Sequence, residues 1–292
     1  MFENVRALAT GLRFPEGASV GADGSVFVPE IEGRALVRVR PDGRKATVAK
    51  FSGGANGCAF GPDGAIYVCD NGGLTFTGDD GVRSPIGLAE GNTGGTLWRV
   101  DVETGAVEAA FTECDGERIG GLNDIVFDTN GFCYFVDTTR GRLYYADPVA
   151  GAIRVAAGGL HIPNGAGLSP DGSRLYVSET YTGRVRRYDV VGDGELVERP
   201  DLYQHDGERD QKWDGLAVDG AGNVCVADLP GSGVRVISPD GEVLGAFVTP
   251  VEDPYVTNLC FGGDTAYVSS AGRGIVYEVP WPWGGRRLNF QR

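Results

Sequence analysis

Short runs of apolar and aromatic residues recur along the whole chain and are separated by glycine-containing turns. Six runs contain the pair Phe-Val, Tyr-Val, Tyr-Phe or Cys-Val. Most follow an Asp-Gly or Asn-Gly turn, and the last copy has a shortened Gly-Asp version. Asp-Gly and Asn-Gly favour tight hairpins, because glycine adopts positive backbone torsions at little cost. Each unit therefore predicts a strand, a hairpin and a second strand.

One polar residue stands at the start of the first strand in each unit. The apolar pair of the second strand ends twelve residues later in four units, thirteen later in one and ten later in the last. Successive polar positions are 40, 67, 41, 50 and 44 residues apart, which suits one four-stranded propeller blade per repeat. These positions are Glu16, Asn56, Asn123, Asn164, Asp214 and Asn258.

A further apolar strand follows each hairpin and supplies the outer part of a blade. Six such units close radially and leave few open sheet edges. We therefore predict an all-β fold, a six-bladed β-propeller formed by residues 1–292 as a single domain, with the six polar positions gathered at one end of the central channel. The outer strands are expected at Ala35–Arg40, Thr96–Val100, Arg142–Ala146, Arg184–Tyr188, Gly233–Ile237 and Ile275–Val279.

Composition agrees with many short strands and excludes several classes of protein. The chain has 48 glycines and one methionine, as expected for strands joined by tight turns. Its net charge of −14 argues against nucleic acid as a partner, since phosphate binding needs clustered Lys and Arg. No apolar run approaches the roughly twenty residues of a membrane span, and the N-terminus lacks a secretory pattern. We expect a cytoplasmic protein without a membrane partner.

The cysteines lie mainly within strand patterns and include no Cys-x-x-Cys pair of the kind that binds zinc. We therefore expect buried free thiols, which agrees with a reducing compartment. They are Cys58, Cys69, Cys114, Cys133, Cys225 and Cys260.

The polar positions offer the oxygen ligands that hard cations prefer. Calcium binds six to eight carboxylate, amide and water oxygens in irregular geometry. Glu16 and Asp214 supply two charges, while Asn123 and Asn164 supply amide oxygens. We predict a site for one divalent cation, with Ca²⁺ preferred and Mg²⁺, Mn²⁺ or Zn²⁺ as alternatives. The competing interpretation is that Asp and Asn only cap turns, but this does not require a Glu in one copy.

Four segments together carry a family resemblance that spans nearly the whole chain. They read FPEG at 14–17, LNDIVFD at 122–128, IPNGAGLSPDGSRLYVSE at 162–179 and WDGLAVDGAGNVCVAD at 213–228. In combination they resemble the SMP-30/gluconolactonase/LRE family, also called the regucalcin family. The resemblance implies a six-bladed propeller with one divalent cation at the channel mouth, and hydrolysis of sugar lactones in many members.

The resemblance also implies roles for the polar positions. It implies that Glu16, Asn164 and Asp214 are the core metal ligands, and that Asn123 is a fourth ligand or a contact to substrate and water. It gives Asn56 and Asn258 no firm role, and we place them in the second shell around the ligands. Asp214 is the candidate general base on the attacking water, because a monodentate carboxylate ligand keeps one oxygen free. Direct attack by Asp214 on the substrate is the alternative.

One departure from the family pattern concerns the substrate. Sugar-lactone members typically carry an arginine two residues before the Asn-Asp pair, where this chain has Gly121. Arg118 is available to reach in from the loop, but the Gly-Gly pair suggests room for a bulkier or less polar group. Trp213 stands where the family more often has proline. We expect Trp213 to face the pocket and contact substrate, where an aromatic wall favours an apolar lactone or ester. The alternative, packing between blades, carries no information on substrate.

Two loops are further candidates for the channel mouth. The 67-residue spacing places an insertion at residues 72–95, which contains Phe76 and forms either a substrate lid or a surface hairpin. His161 and His205 are the two histidines. Either is an ordinary surface residue or a proton shuttle or substrate contact, and His205 is preferred for the latter role.

A second repeated row of polar residues follows the first. Its period predicts that these side chains bond backbone amides at the blade ends rather than take part in catalysis. Asp137 and Asp228 are the exceptions left open, because they are expected close to the metal half of the ring. The row comprises Glu30, Asp70, Asp137, Glu179, Asp228 and Ser270.

These observations favour a divalent-metal-dependent lactonase acting on a small lactone or ester. A phosphotriesterase or other ester hydrolase using the same metal is an alternative within the fold. A non-catalytic propeller that binds calcium or a ligand is an alternative of a different class.

Overall fold

The computed structural model describes residues 2–79, 81–205, 207 and 211–291. Within these residues the chain forms six four-stranded antiparallel sheets and two short two-stranded hairpins. The strands are β1 (Arg6–Ala9), β2 (Ser19–Val20), β3 (Val26–Glu30), β4 (Ala35–Val39), β5 (Lys45–Lys50), β6 (Ala55–Phe60), β7 (Ile66–Asp70), β8 (Leu74–Asp79), β9 (Val82–Leu88), β10 (Thr96–Val100), β11 (Val107–Phe111), β12 (Glu113–Cys114), β13 (Glu117–Arg118), β14 (Leu122–Phe127), β15 (Cys133–Asp137), β16 (Arg142–Asp147), β17 (Ala152–Gly158), β18 (Pro163–Leu168), β19 (Arg174–Glu179), β20 (Arg184–Gly192), β21 (Glu195–Gln204), β22 (Trp213–Val218), β23 (Val224–Asp228), β24 (Gly233–Ile237), β25 (Val243–Val248), β26 (Val256–Gly262), β27 (Thr265–Ser270) and β28 (Ile275–Pro280).

The six sheets are the blades of a propeller, which confirms the predicted fold. Blade 1 contains β2 to β5, blade 2 contains β6, β7, β10 and β11, and blades 3, 4 and 5 each contain four consecutive strands from β14, β18 and β22 onward. Blade 6 contains β26 to β28 and is completed by β1. Arg6 lies opposite Glu278 in that last pairing, and their side chains form an ion pair of 2.6 Å. Strands from both ends of the chain therefore close the ring.

The hairpins within the blades form as the sequence predicts. Gly24 and Gly64 adopt φ values of +77° and +81°, a region that favours glycine. Asp23 precedes the first of these glycines, and its carboxylate accepts the backbone N–H of Ser25 at 3.0 Å. This local bond holds the turn that leads the chain from β2 into β3.

Apolar side chains from neighbouring blades meet in layers and form the core. One layer joins Val126, Tyr134 and Val136 of blade 3 to Ala166 and Val177 of blade 4. All six cysteines are buried and free, which confirms the expectation from their positions in the strands. Among the residues described, no helix is both long enough and apolar enough to span a membrane.

The second row of polar residues fixes the loops at the channel mouth. Asp137 accepts the backbone N–H of Gly120 at 2.7 Å, and Glu179 accepts that of His161 at 2.9 Å. Glu30 makes the equivalent bond to the N–H of Arg13. Asp70 and Asp228 accept the N–H groups of Gly72 and Gly231 in the turns that follow them. In blade 6, Ser270 donates to Asp253, which takes over the role of the acid. The predicted bonding to backbone amides is confirmed for the five acids of this row, whereas Ser270 bonds a carboxylate instead.

The C-terminal segment covers the opposite end of the channel. The Arg286 guanidinium donates to the Leu168 carbonyl at 3.0 Å, and the Asn289 amide donates to the Phe127 carbonyl at 3.0 Å. Leu288 lines the narrow space inside the channel together with residues from the hairpin ends of the inner strands. The channel is therefore approached from the mouth where the polar ring lies.

Candidate metal centre at the channel mouth

The polar ring positions lie where the inner strands leave regular pairing. In blade 3 the register of β14 with β15 breaks between Leu122 and Ile125, around Asn123. In blade 5 it breaks between Trp213 and Leu216, around Asp214. A bulge re-aims a side chain that would otherwise follow the pleat, and here it presents the polar side chain to the channel. Blades 2 and 4 have the same break around Asn56 and Asn164.

In the sixth repeat, the prediction that Asn258 belongs to the polar ring is wrong by one residue. Leu122 pairs with Asp137 immediately before Asn123, and Val256 correspondingly pairs with Ser270 immediately before Thr257. The ring position in blade 6 is therefore Thr257, which lines the mouth cavity, and not Asn258. The hairpin turn of this blade is shorter than the others, so the spacing along the sequence no longer identifies the ring residue.

Asn258 belongs to a second level of the channel, below the ring. Its amide nitrogen lies 3.5 Å from the carboxylate of Asp124, and both side chains are buried. The other blades carry glycine at this level, and a Cβ on Gly57 would lie 2.5 Å from the Asp124 carboxylate. The glycines therefore leave room for one acid and one amide on the channel axis. The sequence analysis did not identify Asp124 as a channel residue. The signal was available, because four other repeats have glycine at the position that Asp124 occupies in the third.

A cavity of about 310 Å³ opens above the ring. Its base is formed by Glu16, Asn56, Asn123, Asn164, Asp214 and Thr257. The structure thus brings together all four proposed ligands and Asn56 around one space. Gly121 also lines the cavity, and a Cβ at that position would meet its nearest neighbour at 3.4 Å, an ordinary contact.

Four buried oxygens at the base of the cavity have no hydrogen-bond partner within the described part of the chain. They are Glu16 Oε2, Asn56 Oδ1, Asn123 Oδ1 and Asn164 Oδ1. A buried polar atom left unpaired costs about 1–3 kcal/mol, so four of them at one place demand a partner. Carboxylate and amide oxygens are the ligands of hard divalent cations, and these residues therefore fit such an ion. Asn56 shares this property with Asn123 and Asn164, although sequence reasoning placed it in the second shell.

The carboxylates of the site repel one another when no cation lies between them. Burial, followed by the charges of Asp214 and Asp124, raises the pKa of Glu16 well above its usual value. Burial also raises the pKa of Asp214 to about 8, against a lowering contribution from Asn164, and the pKa of Asp124 to about 7. A divalent cation would relieve this strain by favouring the charged forms.

The expected contact between Trp213 and substrate is corrected by the structure. The Trp213 ring is fully buried and belongs to the apolar cluster between blades 4 and 5 that also contains Tyr176 and Leu202. The guanidinium of Arg235 lies 5.7 Å from the ring centre. Trp213 keeps its regular pairing opposite Asp228, so its side chain stays within the blade, whereas Asp214 lies in the bulge that follows and faces the channel.

Arg118 and His205 also lie away from the residues that line the mouth cavity. The Arg118 guanidinium donates to the Thr93 carbonyl at 3.1 Å and lines a separate surface hollow. The centre of the His205 ring lies 6.3 Å from that of the buried Trp213, and His205 is not among the lining residues. His161 is exposed and is likewise not among the lining residues. Positions 206 and 208–210 of the loop that follows His205 lie outside the described residues.

The insertion at 72–95 contains a hairpin, β8–β9, that reaches the cavity. Leu74, Pro85 and Leu88 of this hairpin line the space above the ring. Phe76 packs behind them on Phe14, with ring centres 4.9 Å apart, and so contacts the cavity wall rather than the cavity itself. Phe14, Ile162 and Tyr181 are lining residues that sequence reasoning missed.

Comparison with known proteins places these features in a family. The family model for the SMP-30/Gluconolactonase/LRE-like region matches residues 14–272. A pentonolactonase of Haloferax volcanii is 35% identical over 158 residues, which cover 52% of this chain and 53% of the relative. A gluconolactonase of Zymomonas mobilis is 29% identical over 242 residues, which cover 75% of this chain and 61% of the relative. The chain spans less than two thirds of the length of either relative.

Solved structures share the fold at lower identity. A gluconolactonase of Xanthomonas campestris superposes with a TM-score of 0.77 at 21% identity, covering 95% of this chain and 89% of the other. Regucalcin, a calcium-binding protein of Agrobacterium tumefaciens, superposes with a TM-score of 0.76 at 18% identity, covering 98% and 97%. At these identities the likeness shows the six-bladed fold.

Proposed function

Since the chain belongs to the SMP-30/gluconolactonase/LRE-like family, we propose that it is a divalent-metal-dependent hydrolase that opens a lactone. The observation that carries this proposal is the set of four buried oxygens beside Asp214 that have no hydrogen-bond partner among the residues described, at the base of an open cavity. The names of the pentonolactonase and gluconolactonase relatives support the choice of a cyclic ester as substrate. Ca²⁺ is the cation that the oxygen-only donor set favours.

The cation would be held by Glu16, Asn123, Asn164 and Asp214, with Asn56 as a further oxygen donor. When bound, it supplies polarisation of the lactone carbonyl and stabilisation of the negative charge that develops on the carbonyl oxygen.

In the proposed reaction, Asp214 acts as the general base on the attacking water. Its carboxylate takes a proton from water while the water oxygen forms a bond to the carbonyl carbon. The ring C–O bond then breaks, and the leaving alkoxide receives the proton to give a hydroxy acid. Asn123 and Asn164 orient substrate oxygens through their amide groups.

We further propose that the substrate is less polar than a sugar lactone. Gly121 lines the cavity at the position where sugar-lactone members typically carry an arginine. Among the described lining residues the charged side chains are Glu16 and Asp214, and no Lys, Arg or His is present to hold sugar hydroxyls. Apolar side chains, including Phe14, Ile31 and Leu122, form much of the remaining wall.

A panel of lactones assayed with and without a chelator tests the proposed function. We expect hydrolysis that a chelator abolishes and Ca²⁺ restores, with simple lactones preferred over D-glucono-δ-lactone. Asp214→Asn should reduce kcat by about 100-fold or more, the scale of general base catalysis. Asp42→Asn, which alters an exposed carboxylate remote from the cavity, serves as the matched control.

Three results would contradict the proposal in different ways. Turnover of paraoxon without turnover of any lactone would favour the phosphotriesterase alternative. Cation binding without turnover of any ester would favour a non-catalytic propeller. Full activity in Asp214→Asn, with circular dichroism showing an unchanged fold, would remove the assigned base.

A further inference from the structure

We propose that the β8–β9 hairpin and Tyr181 form a binding wall for an aliphatic side chain on the lactone ring, so that the preferred substrates are alkyl-substituted lactones. This inference rests on the proposed lactone hydrolysis and assigns the residues that select the substrate. Leu88 and Tyr181 are the main specificity-determining positions.

The hairpin is held across the mouth of the channel. It leaves blade 2 between β7 and β10, and the backbone N–H of Arg83 donates to the Gly272 carbonyl of blade 6 at 2.7 Å. The Arg83 guanidinium forms an ion pair with Glu32, which follows β3 in blade 1. Contacts with two other blades therefore fix the hairpin over the polar ring rather than beside the propeller.

The apolar lining extends from the buried base to the solvent. Phe14 and Ile31 are each 3% exposed, whereas Leu88 is 60% exposed and Tyr181 is 59% exposed, although all four line the same cavity. Large apolar side chains that line a cavity and remain exposed gain burial when an apolar group lies against them. A lactone ring held at the polar base would direct a substituent along this wall.

Two backbone conformations support the view that the apolar wall is a built feature. Phe14 and Ile162 adopt φ values of +58° and +48°, which bulky and β-branched residues rarely do. Each stands two residues before a proposed ligand, Glu16 or Asn164, and each lines the cavity. Strained backbone persists where the surrounding structure requires it, and here it places apolar side chains from blades 1 and 4 beside the polar base.

A homologous series of γ-lactones tests this assignment. For γ-butyrolactone, γ-hexalactone, γ-octalactone and γ-decalactone, we expect kcat/KM to rise about fourfold per added methylene until the chain passes the wall. Leu88→Ser and Tyr181→Ser should each lower kcat/KM for γ-decalactone about tenfold and leave that for γ-butyrolactone within threefold. Ile86→Ser is the matched control, because Ile86 lies on the same strand, is 64% exposed and is not a lining residue.

Binding of the reaction products provides a measurement independent of turnover. In calorimetry, 4-hydroxydecanoate should bind the wild-type protein at least tenfold more tightly than 4-hydroxybutanoate, and Leu88→Ser should reduce that ratio. Hydrolysis of γ-lactones at rates that stay flat or fall with chain length would overturn the inference and leave the proposed function standing. An equal loss in Ile86→Ser and Leu88→Ser would also overturn it. Failure to hydrolyse any lactone would overturn both.

Discussion

The metal-free protein is expected to lose stability as the pH rises toward 8. The pKa of Asp214 is about 8 in the folded chain and 3.8 in its ordinary state. Between these values the unfolded chain releases a proton that the folded chain retains. The stabilising contribution is therefore complete below pH 3.8 and is lost as the pH rises through about 8. Each pH unit in this window lowers the free energy of unfolding by about 1.4 kcal/mol for this one group.

The magnitude is large enough to measure by thermal unfolding. From pH 5.5 to pH 7 the loss from Asp214 amounts to about 2 kcal/mol, which lowers Tm by about 4 °C for a chain of this size. Burial raises the pKa of Glu16 and Asp124 as well, so both groups act in the same direction. Adding Ca²⁺ at a hundredfold excess over Kd restores about 2.7 kcal/mol. At one fixed Ca²⁺ concentration the gain should be greater at pH 7 than at pH 5.5, because protons compete with the cation for the carboxylates and raise Kd at the lower pH.

Circular dichroism melts in chelator at the two pH values provide the assay. Asp214→Asn removes one titrating group. The fall in Tm between pH 5.5 and pH 7 should therefore be smaller in this variant, by about the amount calculated for Asp214. A Tm in chelator that is constant or rises from pH 5.5 to pH 7 would refute the reasoning. So would a stabilisation by Ca²⁺ that is equal at both pH values.

Three further predictions follow from the packing around the site. Trp213→Ala should lower the free energy of unfolding by about 3–5 kcal/mol in urea denaturation, because the ring is fully buried; a loss below 1 kcal/mol would contradict the blade packing. Gly120→Ala should be strongly destabilising, since its Cβ would lie 2.2 Å from a threonine hydroxyl. Gly121→Ala, with a nearest contact of 3.4 Å, should leave Tm nearly unchanged. Equal effects of the two substitutions on Tm would argue against this geometry. Asn164→Ala should weaken Ca²⁺ binding about tenfold or more in calorimetry, whereas Asn258→Ala should mainly reduce the free energy of unfolding, by about 1–3 kcal/mol. Weaker Ca²⁺ binding in Asn258→Ala than in Asn164→Ala would place Asn258 back in the ring.

The repeat made the fold predictable, because six copies of a strand-turn-strand pattern leave few architectures. The ring was predictable for five of its six members for the same reason. The ring residue of blade 6 was predicted wrongly because the hairpin of this blade is shorter. Strand pairing, rather than spacing along the sequence, identifies Thr257. A deletion in a turn changes distance along the sequence without changing the position of a residue in the sheet.

The walls of the cavity were harder to predict than its base. The direction of Trp213 was not predictable, because the bulge between Trp213 and Leu216 breaks the alternation of side chains along the strand and is visible only in the strand pairing. The role of the β8–β9 hairpin could not be deduced, because its contacts with Gly272 and Glu32 join segments far apart in sequence. Composition identified an insertion there, and only the folded chain shows which of its side chains reach the site.

The most direct test is an activity titration of the chelated protein with Ca²⁺ in the presence of γ-butyrolactone. Hydrolysis should rise from background and saturate at one equivalent of cation per chain, with saturation shifted to higher concentration in Asn164→Ala. Hydrolysis that proceeds unchanged without any cation would contradict the claim that the unpaired oxygens of the ring hold a catalytic metal.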